Sequence, residues 1–382
     1  MKINLKNLTK PDYVGSVQNI YFLKDNPEFM ICETTTGGSV FDVGTIFHIP
    51  DSDIYRAALR HKIYSSLGNK DEWKRLIGVI PENLITHHIG MVDNKSGEVI
   101  SNDFPENISR FNVVKRYNVI KPVQIKVNNL RLWDYSNIWN KDKYVIPLEN
   151  IVRFGITPSS SIYKKFLKMT EEEKSKFLKE YGEKNITPWT FFKEPKVDFT
   201  TKYEPEDRAL SYQEALYISG LTGEFYGKLF ELTKLCSRFV KAFFAQIGLD
   251  LWDLKWEFAK DGDNLVVVDT IDTDSIRVTM KIENNYIHFN KQAIRDYYIK
   301  FHSNWVEEIN RAKELSKQTG KPFQEYLSKK FPEPPKIDEK FIQIQKAKLE
   351  TIYNFITDKF DSTTTKAKLK EIGLKELEFL QN

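Results

Sequence analysis

Apolar positions recur along the chain with two different periods, and the switches between them mark out its elements. Over 14–43 the pattern is extended: Val17, Ile20 and Phe22, then Phe29-Met30-Ile31-Cys32, interrupted by the turn-forming Lys24-Asp25-Asn26-Pro27. This predicts an antiparallel hairpin at the start of the fold. Ile54, Ala57, Ala58 and Leu59 then supply the inner face of a helix over 53–67, with Ser52 or Asp53 as its cap. Residues 110–127 return to strand-like alternation, and a short apolar run over 143–153 continues it. Over 164–184 the composition shifts to Lys and Glu, the mark of a solvated helix followed by a loop.

Ser211-Tyr212-Gln213-Glu214 is a capping-box pattern opening a short helix that Gly220 can end. The strongest helical signal spans 223–247, where Phe225, Leu229, Leu232, Leu235, Cys236, Phe239 and Phe243 recur at threes and fours before Gly248. Such a stripe belongs in a core. A hairpin follows, 252–259 and 265–271 around Lys260-Asp261-Gly262-Asp263-Asn264. Beyond Tyr297 the chain reads as helical and charged, with a Pro break at Phe331-Pro332-Glu333-Pro334-Pro335, a docked helix over 341–359 and a polar tail. Strands come first, then strands and helices without regular βαβ alternation, so the fold class is α+β with an antiparallel sheet.

Composition narrows the function. The 382 residues carry 57 basic and 53 acidic side chains, a net charge of +4, and the signs are interspersed. Nucleic acid is therefore not the expected partner. No run approaches eighteen apolar residues and the first residues are not those of a signal peptide, so no membrane partner and a cytoplasmic location are expected. Cys32 and Cys236 lie far apart without a partner motif and read as small core residues. Gly-x-Gly-x-x-Gly, the P-loop, His-Glu-x-x-His and Gly-x-Ser-x-Gly are all missing, and His87-His88, adjacent on a strand, should point apart.

The chemistry concentrates on the later hairpin. Period two puts Lys255 and Glu257 on one face and Leu254, Trp256 and Phe258 on the other, and an antiparallel partner brings Asp269 toward Glu257. Read plainly, this is a solvated face with a surface ion pair. Yet Asp269, Asp272, Asp274 and Arg277 crowd onto the strand's end, where fixed acids can hold Mg²⁺ over nucleotide phosphates.

Seven segments then resemble, in order, those of SAICAR synthetase, the purine-pathway ligase. Gly15-Ser16-Val17-Gln18-Asn19-Ile20-Tyr21 is similar to its Gly-Lys-x-(Lys/Arg)-x-x-Tyr opening, and Ser39-Val40-Phe41-Asp42-Val43 to its Ser-Ala-Phe-Asp-Val. Pro147-Leu148-Glu149-Asn150-Ile151-Val152-Arg153, with Gly155, Thr157 and Ser159-Ser160-Ser161, is similar to its Pro-(Leu/Val)-Glu-x-(Ile/Val)-Val-Arg and the following Gly/Thr/Ser loop. Glu194-Pro195 with Thr200-Thr201-Lys202-Tyr203-Glu204, Lys255-x-Glu257-Phe258, Asp269 through Arg277, and Phe289-Asn290-Lys291-Gln292 with Arg295-Asp296 complete the series. Residues 303–330 and the tail after about 360 read as additions.

The resemblance implies a two-lobed fold: an antiparallel N-terminal lobe over 1–145 covering ATP, a catalytic α+β lobe over 146–300, and a C-terminal helical extension over 301–382, with the ATP cleft between the lobes. It implies ATP and Mg²⁺ as cofactors and the joining of L-aspartate to the carboxylate of CAIR (carboxyaminoimidazole ribonucleotide), by way of an acyl phosphate. Glu257 and Asp269 are then the metal ligands, Lys255 neutralises phosphate charge, and Gly15, Ser16 and Tyr21 contact the nucleotide. Arg153, Ser159, Ser160 and Ser161 hold the ribonucleotide phosphate, while Lys202, Asp274, Arg277 and Lys291 line the same cleft. Glu149 is either a nucleotide contact or a strand-end ion pair. A homo-oligomer is compatible with all of this. The chain departs from the family at Ser16 and Gln18, where basic side chains reach phosphates, at Thr36-Gly37, which replaces Asp-Arg, at Thr270 beside Asp269, and at Asn290. These departures keep two alternatives open: a same-fold ligase or phosphotransferase for another carboxylate, or a non-catalytic nucleotide-binding homologue.

Overall fold

The computed structural model describes residues 1–128, 130–205, 207–319, 321–327 and 333–381. The expected opening hairpin is present as β1 (Tyr13–Val14), β2 (Gln18–Phe22) and β3 (Phe29–Thr34), followed by a short pair, β4 (Gly37–Gly38) and β5 (Phe47–His48). Helices α1 (Ser52–Leu67) and α2 (Lys70–Ile77) lead to β6 (Ile85–Thr86), β7 (His88–Val92), β8 (Val99–Ile100) and β9 (Phe111–Lys115). A separate ribbon, β10 (Val123–Val127) with β11 (Leu130–Asp134), precedes β12 (Lys143–Val145) and β13 (Leu148–Ile156). Then come α3 (Ser161–Leu167), α4 (Glu171–Tyr181), β14 (Thr190–Thr201), β15 (Ala209–Leu210), α5 (Tyr212–Ser219) and α6 (Gly223–Ala245). The chain closes with β16 (Asp250–Asp261), β17 (Asn264–Val268), β18 (Ile276–Ile282), β19 (Asn285–His288), α7 (Gln292–Phe301), α8 (Ser303–Thr319), α9 (Glu339–Ile356) and α10 (Ser362–Gln381).

Two sheets organise these elements, and the fold is α+β as the pattern predicts. The smaller has the order β1-β2-β3-β9-β7-β8; the larger runs β15-β14-β13-β16-β17-β6, with β12, β18 and β19 joined through β16. Residues 1–145 thus contribute to both sheets, because β6 pairs parallel with β17 and β12 pairs with β16. Strand β16 is long enough to change neighbours along its length. Its first part pairs with β18 up to Leu254↔Ile276, and its second part with β17 from Glu257↔Val268. Between those two contacts the chain over 269–275 has to leave the sheet. That excursion carries the three aspartates.

Helix α6 packs its stripe against the back of this sheet. Leu229, Cys236, Phe239 and Phe243 are buried with Leu254, Trp256 and Phe258, and the Trp256 indole N–H donates to Ser237 Oγ at 2.8 Å. Burying such side chains stabilises by roughly 1.5–3 kcal/mol each. Thr222 caps α6 through Phe225 N, and α5 has the predicted capping box and a left-handed Gly220. No described helix is long and apolar enough to cross a membrane.

Three expectations need correction. Helix α1 is capped by neither Ser52 nor Asp53: its N-cap is Asp51, in the left-handed region at φ 62°, and that carboxylate is taken by Lys346 Nζ at 2.6 Å. The charged stretch over 164–184 is two helices, not one helix and a loop, and it covers a small core in which Phe166 packs with Phe177, Ile156 and Ile186. The polar tail is the helix α10, docked on α9. Of the Pro break, Phe331 and Pro332 lie outside the described residues.

What docks α10 is a buried ion pair. Lys348 Nζ donates to Glu376 and to the His288 carbonyl (2.6 Å), and Gln345 donates to Glu376 at 2.6 Å, with both charged side chains at 4% exposure or less. Lys348→Met should therefore cost about 3–5 kcal/mol, since it strands a buried carboxylate, whereas Lys348→Met with Glu376→Leu should recover much of that loss. Urea unfolding of both variants checks this; equal losses would show that the pair itself carries nothing.

Candidate functional site

Lys255 and Glu257 project from β16 on the face opposite Trp256, as period two requires. They do not form the solvated surface pair of the plain reading. Lys255 Nζ donates to Glu149 Oε1 and Glu257 Oε1, both at 2.7 Å, and lies 3.7 Å from Asp269 Oδ2. Lys202, at the end of β14, bonds the other oxygen of Glu257. Glu257 is only 4% exposed, while Asp269 keeps 36% of its side-chain surface open toward a cavity. Burial would raise Glu257, but the ammonium groups of Lys255 and Lys202 outweigh it and hold the carboxyl at about 2. Asp269 responds the other way: burial, and then the charge of Glu257, push it up to about 7. Lys255 stays charged because its three acids overcome its desolvation.

The loop over 269–275 is fixed from α1. Tyr64 donates to the Asp269 carbonyl at 2.8 Å, and His87 Nε2 donates to the same oxygen at 3.0 Å, which pins Asp269 in the left-handed region at φ 67°. Asp272 is fully buried and meets Arg60 through Nε at 2.7 Å and Nη2 at 2.6 Å, with Arg56 Nε 3.5 Å away. Asp274 pairs with Arg56 Nη2 at 3.1 Å. Asp272 is one of the acids the sequence places at the strand's end, but it is bound by arginines and is not free for a metal; Arg56 and Arg60 are not among the residues singled out from the sequence. Their signal is two arginines four apart, on one face of an otherwise apolar helix segment with Ala57, Ala58 and Leu59.

Above this floor lies a cavity of about 550 Å³ between the two sheets, within the range of small-molecule sites. Gln18, Ile20 and Phe22 line it from β2, and Val114 and Val145 face it from β9 and β12. Strand alternation turns Tyr21 to the other side, where its hydroxyl donates to Glu33 at 2.8 Å within a separate cluster. Gly15 makes a tight turn with Gln18 O, and Ser16 offers its carbonyl to Thr45 Oγ1. Neither lines the cavity, and nor does Glu149, which is held by Lys255 and Thr200. His87 and His88 do not part as strand neighbours would: His87 lies at a bend before β7, and both rings pack on Tyr64, with centroids 5.4 Å away, and line the cavity. Burial holds His61 and His87 down to about 4, so both are neutral. His61 Nε2 faces the Asp103 carbonyl at 2.9 Å and carries the proton, so its Nδ1 accepts from His88 Nε2 at 2.8 Å.

A second group of charges lies along β13 and β18. Arg153 Nε donates to Asp198 at 2.6 Å and Nη2 to Ser161 Oγ at 3.4 Å; Arg277 Nη1 donates to Asp253 at 2.6 Å and to Thr157 Oγ1 at 3.3 Å. Ser159 Oγ bonds Thr157 Oγ1, while Ser160 Oγ is buried without a partner. Beside them burial lowers Lys291 and Arg295, with Asp274 the main acid acting on Lys291. Asn290 Oδ1 is also buried and unbonded. Arg153 and Arg277 are each matched by an aspartate, whereas Lys291 and Arg295 form no ion pair among the described residues, which suits an anionic ligand.

Residues 12–312 match the sequence profile of the SAICAR synthetase family. The chain belongs to the SAICAR synthetase family. Among curated relatives, it is 32% identical over 233 residues to a putative phosphoribosylaminoimidazole-succinocarboxamide synthase of Archaeoglobus fulgidus, an alignment covering 60% of this chain and 64% of that one. It is 26% identical over 292 residues to the phosphoribosylaminoimidazole-succinocarboxamide synthase of Thermoplasma acidophilum, covering 74% and 81%. The chain therefore spans just under two thirds of the first relative's length. The fold is that of SAICAR synthase from Saccharomyces cerevisiae complexed with SAICAR, at a TM-score of 0.56 and 19% identity over 94% of this chain and 98% of that one. It is also similar to a SAICAR synthetase in complex with ADP, with TM-score 0.50 and 17% identity over 81% and 97%.

The two facing carboxylates make a direct prediction. In the ligand-free protein Asp269 should lose its proton as pH rises through about 7, and Glu257→Gln, which removes the facing negative charge, should lower that midpoint while burial keeps it above an ordinary aspartate. Carboxyl-carbon NMR titration reads both; a wild-type midpoint near 4 would break the pairing argument.

Proposed function

We propose that the chain is an ATP-dependent carbon–nitrogen ligase that joins L-aspartate to the carboxylate of CAIR, giving SAICAR, ADP and phosphate. The observation that carries this reading is the floor of Glu257, Asp269, Lys255 and Lys202 at the meeting of a nucleotide-sized cavity and a cation-rich surface, in a chain of this family. A carboxylate is a poor electrophile. Phosphorylation by ATP turns one of its oxygens into a phosphate leaving group, and the aspartate amine then attacks the acyl carbon, forming the C–N bond as phosphate departs and the amine loses a proton.

The side chains suit these tasks. Lys255 and Lys202 offset charge where the phosphoryl group moves, and Arg153, Arg277 and the serines over 159–161 suit the ribonucleotide phosphate. Lys291, with Arg295 beside it, suits a substrate carboxylate. Mg²⁺ fits Glu257 and Asp269: the proton Asp269 retains to near neutrality marks a place where a cation is wanted, and Mg²⁺ characteristically uses one or two carboxylates with phosphates and water. Bound there with the nucleotide, it would supply charge neutralisation on the phosphates. Among the described residues no group of three or more His, Cys, Asp or Glu forms a cage for a metal by itself.

The test is ADP release measured with ATP and Mg²⁺. Release that needs both CAIR and aspartate supports the proposal; release with another carboxylate points to a related ligase, and nucleotide binding without turnover to a non-catalytic homologue. Glu257→Gln and Asp269→Asn should each lower turnover by about 100-fold or more while circular dichroism stays unchanged. Near wild-type rates in both would remove these carboxylates from the site.

A further inference from the structure

The apolar end of the cavity contains a polar group whose hydrogen-bonding sense is fixed from outside. Phe22, Met30, Val114 and His88 are successive cross-strand neighbours in the smaller sheet, through Phe22↔Met30, Met30↔Val114 and His88↔Val114, and all four line the cavity. Val145 and Val268 line it from the larger sheet. Such a slot suits a flat ligand with an apolar face. The imidazole of His88 is the exception in that row, and it lies nearly parallel to the Tyr64 ring, at an interplanar angle of 12°.

The sense is set at Asp103. A carbonyl can only accept, so His61 Nε2, 2.9 Å from the Asp103 carbonyl, carries that ring's proton. Burial keeps His61 neutral, at about 4, so its Nδ1 is a bare acceptor and the N–H in the 2.8 Å contact with it belongs to His88 Nε2. His88 is kept neutral too, by burial and by the two neighbouring histidines. One proton per neutral ring leaves its Nδ1 bare. The relay therefore ends in a lone pair on a cavity-lining ring, and His88 makes no second hydrogen bond among the described residues. Neighbouring Asn112 offers no substitute, because its Nδ2 donates to the Ala57 carbonyl and its Oδ1 is buried.

We propose that His88 is a specificity-determining residue for the nucleobase: its Nδ1 accepts from the exocyclic amine of adenine, and His61 is the positioning residue that fixes its tautomer. This rests on the nucleotide-binding reading above and deepens it. A 6-oxo purine places an oxygen lone pair where adenine has its amine, so the same nitrogen disfavours it. The competing role for His88 is packing alone, as a flat ring on Tyr64.

Nitrogen-15 NMR of the ligand-free full chain reads the tautomer: His88 Nδ1 should show the shift of an unprotonated imidazole nitrogen, and a protonated Nδ1 would overturn the proposal. Calorimetry then compares the non-hydrolysable imido analogues of ATP and ITP with Mg²⁺, whose bases differ by amine against oxo at position 6 and the accompanying N1 proton. The adenine analogue should bind about 10- to 100-fold tighter. His88→Phe keeps a ring on Tyr64 and removes both nitrogens, so the adenine analogue should weaken about tenfold and the preference fall to within about threefold. His61→Gln keeps a donor for the Asp103 carbonyl but frees the His88 tautomer, so the preference should narrow mainly because the inosine analogue binds better. A preference unchanged in either variant, or equal losses of both analogues in His88→Phe, would overturn the proposal. Wild-type protein that binds the two analogues alike would overturn it and leave the nucleotide reading standing; binding of neither would remove that reading, and this inference with it.

Discussion

Lys255 can be half-buried with its charge only because Glu149, Glu257 and Asp269 surround it, and those acids can be held together only because Lys255 and Lys202 stand between them. Taking any one of these charges out of water alone costs several kcal/mol. The cluster is therefore an all-or-none arrangement, and the backbone around it is built to keep every member in register. β16 supplies Lys255 and Glu257 two residues apart, β13 brings Glu149 to one side, and the departure of the chain after Val268 brings Asp269 to the other. The one acid left without a full counter-charge, Asp269, answers by keeping a proton.

The same accounting explains why helices far apart in sequence converge here. The loop over 269–275 exists because two successive strands share one edge of β16, and a loop so formed has no ladder to fix it. Arg56, Arg60 and Tyr64, spaced four apart on α1, fix it instead. α1 is in turn backed by α9, and Lys348 of α9 reaches the carbonyl of His288, two residues before Asn290. The C-terminal helices thus brace both the helix that holds the aspartate loop and the segment that presents Lys291.

Local signals made much of this legible. The α6 stripe, the capping box at Ser211 and the β16–β17 hairpin are short-range patterns, and each formed where the periodicity lies. So did the segregation of Lys255 and Glu257 from Trp256 and Phe258. What the pattern does not carry is which partner a face will meet. Val123, Ile125 and Val127 alternate as a core strand should, yet among the described residues β10 pairs only with β11, and Leu130 beside them is 66% exposed. Tyr21 fits a family motif, yet strand parity turns it away from the cavity. Asp272 reads in the sequence as a free acid because its arginine partners are more than 200 residues away, a separation no window along the chain can span.

His87 joins the two sheets through its own peptide groups: its N–H donates to Val267 O in one sheet at 2.9 Å, and its carbonyl accepts from Lys115 N in the other at 2.7 Å. A second contact, Val145 N to Asn118 O at 2.8 Å, ties β12 to the segment that follows β9. The His87 ring also bonds the carbonyl of Asp269. One residue therefore carries the continuity between the sheets in its backbone and fixes the carboxylate loop with its side chain, so the spacing of the two sheets and the position of Asp269 are set together.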